Sequence, residues 1–571
     1  MTTSAAAETV PPNCLRAILS RLEVCASVTV LEELQASGLV AVTGSDLLAL
    51  VSTAREHIRN AGVKPGDRCA LLAENGIRWV AANLAIFAEG AICVPLYSRQ
   101  APEELAAMLA DCEPALLLCG LSDLRDALSD TLRGASNRLP QCKLFDEVFA
   151  TTPVPNPNNP PVYLDPSQPM TIIYTSGTSG VSKGVVLTMG NVSHMLDCTS
   201  SRLDLLMEGR SRQDSVFHYL PFCFAGSWIL LLTSLLRGSR LTLNTALTRI
   251  AAELPASAPD YVLNVPALLE RMLRGVDEQV ARKGGLAYRV YSNARRAVRR
   301  RQTAPGERST AREGFWLWLA NWLVFPAIRK RMLGSNVRAL ICGSAPLALE
   351  TQSYFQMLGV PVLQVYGLTE TTAICTMDDP RSVVAGRVGP AIPGVEMRLG
   401  ESQEILVRGP NIFAKYWNRP QETAAVLQDG WFHTGDQGEV NAAGNWTVAG
   451  RLKNLVILSS GHNVAPEPIE DKLLQQIPGA LQVVIVGNGR GYLSVIVCGA
   501  VTENVVQAGV DAVNLDLPHY KQVRAFHMRK EAFSIESGLL TANGKLKRDA
   551  IASRLREEIA EMYEARARVA S

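Results

Sequence analysis

The sequence predicts an α/β protein built from two or more domains. Three observations carry that expectation. The chain of 571 residues exceeds the roughly 250–300 residues at which a single hydrophobic core stops growing. Helical and strand-like stretches alternate between residues 45 and 95, the rhythm of helices laid on a largely parallel sheet. Hydrophobic residues make up 47% of the chain and charged residues 19%, a globular composition.

In chain order, residues 45–61 read as a helix, 62–67 as a turn, 69–73 as an apolar strand, and the following stretch to Ala88 as a second helix. The Pro- and Asn-rich run 153–161 reads as an irregular connection, because strand patterning resumes at Met170. Further strand–turn units fall at 241–243, 261–264, 339–342 and 362–365. The most apolar runs, 228–236 and 315–325, are shorter than the roughly 20 residues of a membrane-spanning helix. Residues 1–12 lack the basic and apolar halves of a secretory signal, so export is not expected. No internal repeat is present.

A formal net charge of +2 gives no global attraction to nucleic acid, so any electrostatic function is local. Twelve cysteines, spread from Cys14 to Cys498, form no C-x-x-C pair and no Cys/His cluster at zinc spacing. Neither disulfides nor a structural metal are expected, and a reduced, cytoplasmic compartment fits.

Residues 174–184 read Y-T-S-G-T-S-G-V-S-K-G. Gly177 and Gly180 let backbone N–H groups turn toward one anion, while Thr175, Ser176, Thr178 and Ser179 add hydroxyl donors and Lys183 a point charge. This is not a Walker A loop, since Lys183 follows Ser182 and precedes Gly184. A plain Gly/Ser hairpin tip has the same composition. Residues 364–372 read Q-V-Y-G-L-T-E-T-T directly after a predicted strand, where ligands of open α/β sheets sit. There Tyr366 suits a base, Thr369 a phosphate, and Glu370 a magnesium ion, a hard cation that prefers carboxylate and phosphate oxygens. An ordinary turn is the other reading.

Between residues 280 and 332 the net charge is +11, and the same stretch carries Phe315, Trp316, Trp318, Trp322 and Phe325. Cations beside an aromatic helix suit an anionic membrane surface. A solvated basic excursion with its aromatics packed on the domain fits equally.

Taken in order, several motifs resemble those of the adenylate-forming superfamily, which includes the acyl-CoA synthetases. They are the loop 174–184, Gly343-Ser344-Ala345-Pro346, Tyr366-Gly367-Leu368-Thr369-Glu370, Gly389-Pro390-Ala391-Ile392-Pro393-Gly394, Trp431-Phe432-His433-Thr434-Gly435-Asp436, Gly450-Arg451-Leu452-Lys453 and Leu540-Thr541-Ala542-Asn543-Gly544-Lys545. The resemblance implies a large domain over residues 1–451, made of α/β sheets with a β-rich subdomain near its end. A small mobile α+β domain over 452–571 would follow, and residues 280–332 would be an insertion.

It further implies that Asp436 bonds the ribose hydroxyls with help from Arg451, that Gly343, Ser344, Ala345 and Pro346 lie on the adenine side, and that Lys545 meets the acyl carboxylate and α-phosphate. Read locally, Asp436 is a turn residue and Lys545 a surface lysine. Lys453 stands at the hinge, and Ser459, Ser460, Gly461 and His462 match the loop approached by coenzyme A. ATP, Mg²⁺ and coenzyme A are the implied cofactors, and a fatty acid the implied substrate.

The insertion and the run 517–524 are most similar to long-chain fatty acyl-CoA synthetases. An aliphatic tail needs an apolar tunnel, for which Phe222, Phe224 and Trp228 are candidates. Phe224 replaces a histidine frequent in the family, Ser460 a glycine and Asn454 an aspartate. Loading of a carrier protein, action on a β-hydroxy acid, and a non-catalytic acyl- or nucleotide-binding module share the same motifs.

Overall fold

The structure, a computed structural model, describes residues 13–134, 140–150, 159–176, 182–303, 310–541 and 544–570. The expected α/β fold is met. Among the described residues the strands form five sheets. In the eight-stranded sheet, Val362–Tyr366, Ala339–Cys342, Tyr261–Asn264, Ser215–His218, Arg240–Asn244 and Thr29–Gln35 run parallel in that spatial order. Thr376–Met377 and Gly38–Thr43 close its two edges antiparallel. The seven-stranded sheet centres on the parallel strands Pro169–Ser176, Ile92–Leu96, Arg68–Leu72, Leu116–Cys119 and Cys142–Leu144.

The helix expected at 45–61 spans Gly44–Asn60, started by a reciprocal cap between Thr43 and Asp46. Apart from the exposed Arg78, the helix Ile77–Ala88 is almost wholly buried and largely apolar, as a helix enclosed by protein must be. It packs on the helix Ala225–Arg237, where the Phe87 and Trp228 rings lie 6.0 Å apart edge to face and the Trp228 indole donates to Asn83 Oδ1 at 3.2 Å. Both helices share one core with residues from the two large sheets.

Residues 396–451 supply a five-stranded, antiparallel sheet. After it a short 3-10 turn, Leu452–Asn454, leads into a three-stranded sheet of Ala480–Val486, Leu493–Gly499 and Val523–Arg529 with its own hydrophobic clusters.

The basic segment folds as the helices Gly285–Thr303, Ala311–Leu323 and Phe325–Leu333. One side is anchored: Val290, Tyr291, Ala294, Ala320 and Phe325 are buried, and Arg295 pairs with Asp277 and Glu350. The other side leaves Phe315, Trp318, Trp322 and Leu323 exposed, with Trp322 at 74%. No helix among the described residues is long and apolar enough to cross a membrane.

Candidate active site

Strands Tyr261–Asn264, Ala339–Cys342 and Val362–Tyr366 end side by side, and the chain leaves two of them through glycines. A Cβ at Gly343 would sit 2.6 Å from Val365 Cγ2, and one at Gly367 would sit 2.3 Å from the Ala373 carbonyl oxygen. Both loops are therefore pressed against their neighbours. Ser344, Thr372 and Ala373 have φ of 72°, 52° and 89°, a left-handed conformation that costs side-chain-bearing residues energy and gathers at functional sites. The turn is held by Leu368 N–H donating to Thr371 Oγ1 at 2.9 Å and by Thr372 Oγ1 donating to the Asn411 carbonyl at 2.7 Å.

Asp436 faces this turn from the strand Trp431–Val440, opposite Arg451 on the strand Trp446–Arg451. Its Oδ2 accepts from the Tyr366 hydroxyl at 2.8 Å, and its Oδ1 lies 3.0 Å from Arg451 Nε. Burial raises the carboxyl pKa, while Arg451, the Tyr366 hydroxyl and Lys545 pull it back. Burial and Asp436 push the Tyr366 phenol well above its ordinary value, so it donates. Gly435 N–H and His433 Nδ1 both meet Glu404, at 2.9 Å each, and this fixes the turn before Asp436.

Glu370 Oε1 accepts from the Tyr416 hydroxyl at 2.8 Å. Lys183 pairs with Glu422, and its ammonium stands 5.2 Å over the Tyr416 ring. Strands Pro169–Ser176 and Ser182–Thr188 form a hairpin that sets Thr175 opposite Lys183 and Ser176 opposite Ser182. Gly177, Thr178, Ser179 and Gly180 lie outside the described residues, as do Ala542 and Asn543. No group of three metal-ligating side chains occurs among the described residues. A lone carboxylate still suits magnesium, which keeps its waters and takes substrate phosphates as further ligands; Glu370 fits that part.

Lys545 reaches this site from the C-terminal region. Water reaches the residue, yet the cleft walls and Arg451 lower its pKa, against the opposing pull of Asp436 and Glu370. Thr369 lies in the 3-10 turn beside Glu370, and Ser344, Ala345 and Pro346 are exposed.

The structure leaves other sequence candidates apart. Lys453 is exposed in the 3-10 turn. Ser459, Ser460, Gly461 and His462 are exposed, with Ser460 Oγ 2.9 Å from His462 Nδ1 and the His462 ring stacked on Tyr520 at 4.4 Å. Phe222 is buried between Trp79 and His218, and Trp228 is enclosed core. Only Phe224 of these three aromatics is partly exposed, tilted against Tyr97 at 5.6 Å. Sequence reasoning missed Tyr416, Glu422, Glu404 and Tyr97, because each stands outside any motif and acquires its partner only in the fold.

A family model described as AMP-binding enzyme matches residues 28–417, and one described as AMP-binding enzyme C-terminal domain matches residues 453–567. The chain is 26% identical over 563 residues to the long-chain-fatty-acid–CoA ligase FadD15 of Mycobacterium tuberculosis, covering 91% of this chain and 92% of the relative. It is 25% identical to long chain acyl-CoA synthetase 3 of Arabidopsis thaliana, covering 89% and 84%. Among solved structures, the o-succinylbenzoate–CoA synthetase of Bacillus subtilis with ATP and magnesium superimposes with a TM-score of 0.71 at 21% identity, over 94% of this chain and 98% of that one. The anthranilate–CoA ligase AuaEII with anthranoyl-AMP gives 0.74 at 18%, over 97% and 99%.

Proposed function

The chain belongs to the AMP-binding enzyme family, and from that premise we propose that it is an ATP-dependent fatty acid–CoA ligase, acting on long-chain acids. The observation that carries this reading is that Lys545, from the C-terminal region, stands within electrostatic reach of Asp436, Glu370 and Arg451 of the preceding region, where Arg451 pairs with Asp436. A carboxylic acid lacks a leaving group, and that cluster has the charges needed to supply one from ATP.

The Asp436 carboxylate, oriented by Tyr366 and Arg451, takes the ribose diol. Lys183 holds the departing pyrophosphate. Lys545 neutralises charge where the acid's carboxylate oxygen attacks the α-phosphorus and the bond to pyrophosphate breaks. Magnesium, held by Glu370, would add positive charge on the phosphate oxygens. In the second half-reaction the thiol of coenzyme A attacks the acyl carbon, the C–O bond to AMP breaks and the thiol proton is released. For that step the region after Lys453 turns the loop Ser459–His462 toward the acyl group.

Long-chain preference is supported by the long-chain ligases that align over 91% and 89% of the chain and by the basic, aromatic excursion. Phe224 beside Tyr97 is the pocket residue we assign to the acyl chain. The exposed Trp318 and Trp322, with the exposed Arg289 and Arg296 of the preceding helix Gly285–Thr303, are assigned to an anionic membrane surface, with salt-sensitive liposome sedimentation as the measure.

The enzyme reading is tested with ATP, coenzyme A and a series of fatty acids of increasing length. Acyl-CoA and AMP in equal amounts, with a maximum among the long acids, is the expected result. Acyl-AMP without acyl-CoA would assign another thiol acceptor, and no pyrophosphate release from any acid would reject the reading.

A further inference from the structure

Lys547 Nζ lies 3.3 Å from Glu104 Oε1, an ion pair between the C-terminal region and the first turn of the helix Pro102–Cys112. Glu104 is oriented for it, because its other oxygen accepts from Gln100 Nε2 at 2.7 Å. Lys547 is two residues beyond Lys545 on the same short segment. That segment is tied into a tight hairpin. Thr541 N–H donates to the Lys545 carbonyl at 2.8 Å, Lys545 N–H donates to Thr541 Oγ1 at 3.1 Å, and Lys547 N–H donates to the Leu539 carbonyl at 2.9 Å. Leu540 pairs with Leu546 across it. Whatever holds Lys547 therefore holds Lys545.

The same interface carries an opposing term. Asp471, on the helix Glu467–Gln476, is raised to about 7 by burial, then by Glu470, Glu270 and Glu467; Glu270 belongs to the helix Pro266–Lys283 on the facing side. Acidic groups from the two regions face one another there. Arg548, which lies 2.7 Å from Glu470 and 3.7 Å from Glu467 within its own region, offsets those two charges and leaves Glu270 of the facing helix set against Asp471.

We infer that the Glu104–Lys547 pair is a positioning latch that favours the orientation in which Lys545 faces Asp436 and Glu370. Lys547 acts through Lys545 and touches no substrate. The side chains of the pair are 29% and 39% exposed, so the contact is weak enough to open in every turnover. The inference rests on the ligase reading.

The test uses the full chain with Glu104→Gln, Lys547→Gln, the double variant, and the charge exchange Glu104→Lys with Lys547→Glu. ATP–pyrophosphate exchange reports adenylation, and conversion of supplied acyl-AMP with coenzyme A reports thioester formation. Each single variant is expected to lose about twofold to fivefold in exchange, the double variant to lose no more than a single one, and the charge exchange to restore most of the loss. Thioester formation stays level or rises. Equal loss in both half-reactions, additive single losses or no recovery on charge exchange would overturn the latch. Amide hydrogen exchange of residues 539–548 gives a readout independent of catalysis and is expected to quicken in both single variants. Unchanged protection would overturn the latch even if the wild type formed acyl-CoA. Absence of pyrophosphate exchange by the wild type, with quickened amide exchange in the variants, would reject the ligase reading alone.

Discussion

In the proposed reaction the ribose side of the site rests on Asp436 and the acyl side on Lys545. Replacing Lys545 by alanine removes one cation from a cluster that otherwise holds Arg451, Asp436 and Glu370. Loss of a single preorganised charge aimed at a developing charge costs about a hundredfold or more in rate. Lys545→Ala is therefore expected to lose at least about a hundredfold in ATP–pyrophosphate exchange while converting supplied acyl-AMP to acyl-CoA near the wild-type rate. Equal loss of both steps would count against the assignment. Tyr366→Phe removes the hydroxyl that donates to Asp436 at 2.8 Å, a charge-assisted bond. The variant is expected to raise the KM for ATP about tenfold, with little change in the KM for coenzyme A, both read by steady-state kinetics. Neither role was visible in the residues alone. A tyrosine after a strand and an aspartate in a turn are common, and only the register that sets Asp436 opposite Arg451 gives them a shared site.

At the scale of elements, the strands were the most legible, because the buried strands of a parallel sheet are short apolar runs with turn residues at both ends. Residues 261–264 and 339–342 coincide with the strands Tyr261–Asn264 and Ala339–Cys342. The basic segment was legible as a helix and ambiguous as a surface, since a sequence does not say which face of Ala311–Leu323 meets the core. In the fold Ala320 is buried and Trp318 and Trp322 are exposed. Trp318→Ser with Trp322→Ser is expected to lower sedimentation with anionic liposomes at least about fivefold at low salt, since each exposed indole would otherwise bury apolar area in the interface. Exchange activity should be unchanged, and unaltered sedimentation would assign the aromatic face to another role. The strand Ser215–His218 carries a second consequence. Burial lowers the His218 pKa from 6.5 to about 4, so the folded state prefers the neutral ring. Between those values the unfolded chain binds more protons, and stability falls as pH drops through 6.5. The loss amounts to ~2 kcal/mol at pH 5. His218→Gln should flatten that acid limb in urea titrations followed by tryptophan fluorescence; an equal slope in the variant would place the proton uptake elsewhere.

At the scale of the whole molecule, the proposed site draws its parts from different regions of the chain. Lys545 and the loop Ser459–His462 lie in the same C-terminal region, yet Lys545 faces the Asp436 cluster while Ser459, Ser460, Gly461 and His462 stand exposed to solvent. The proposed service of Ser459–His462 in the second half-reaction requires a second orientation, reached through the chain between Arg451 and Leu455, which includes the 3-10 turn Leu452–Asn454. Tethering the two regions separates these demands. With Glu104 and Lys547 both changed to cysteine, and the two natural cysteines that are not buried, Cys25 and Cys142, changed to serine, a short bis-maleimide would join the helix Pro102–Cys112 to the Lys545 hairpin. The linked protein is expected to release about one equivalent of pyrophosphate per chain and to retain acyl-AMP, because adenylation needs only the tethered orientation. Acyl-CoA formation should fall at least about tenfold relative to the unlinked double-cysteine protein, a margin set by how rarely a tethered domain samples a second orientation. Steady acyl-CoA production by the linked protein at the unlinked rate would mean that coenzyme A reaches the acyl-adenylate without domain rotation, and the exposed loop at Ser459–His462 would then need another role.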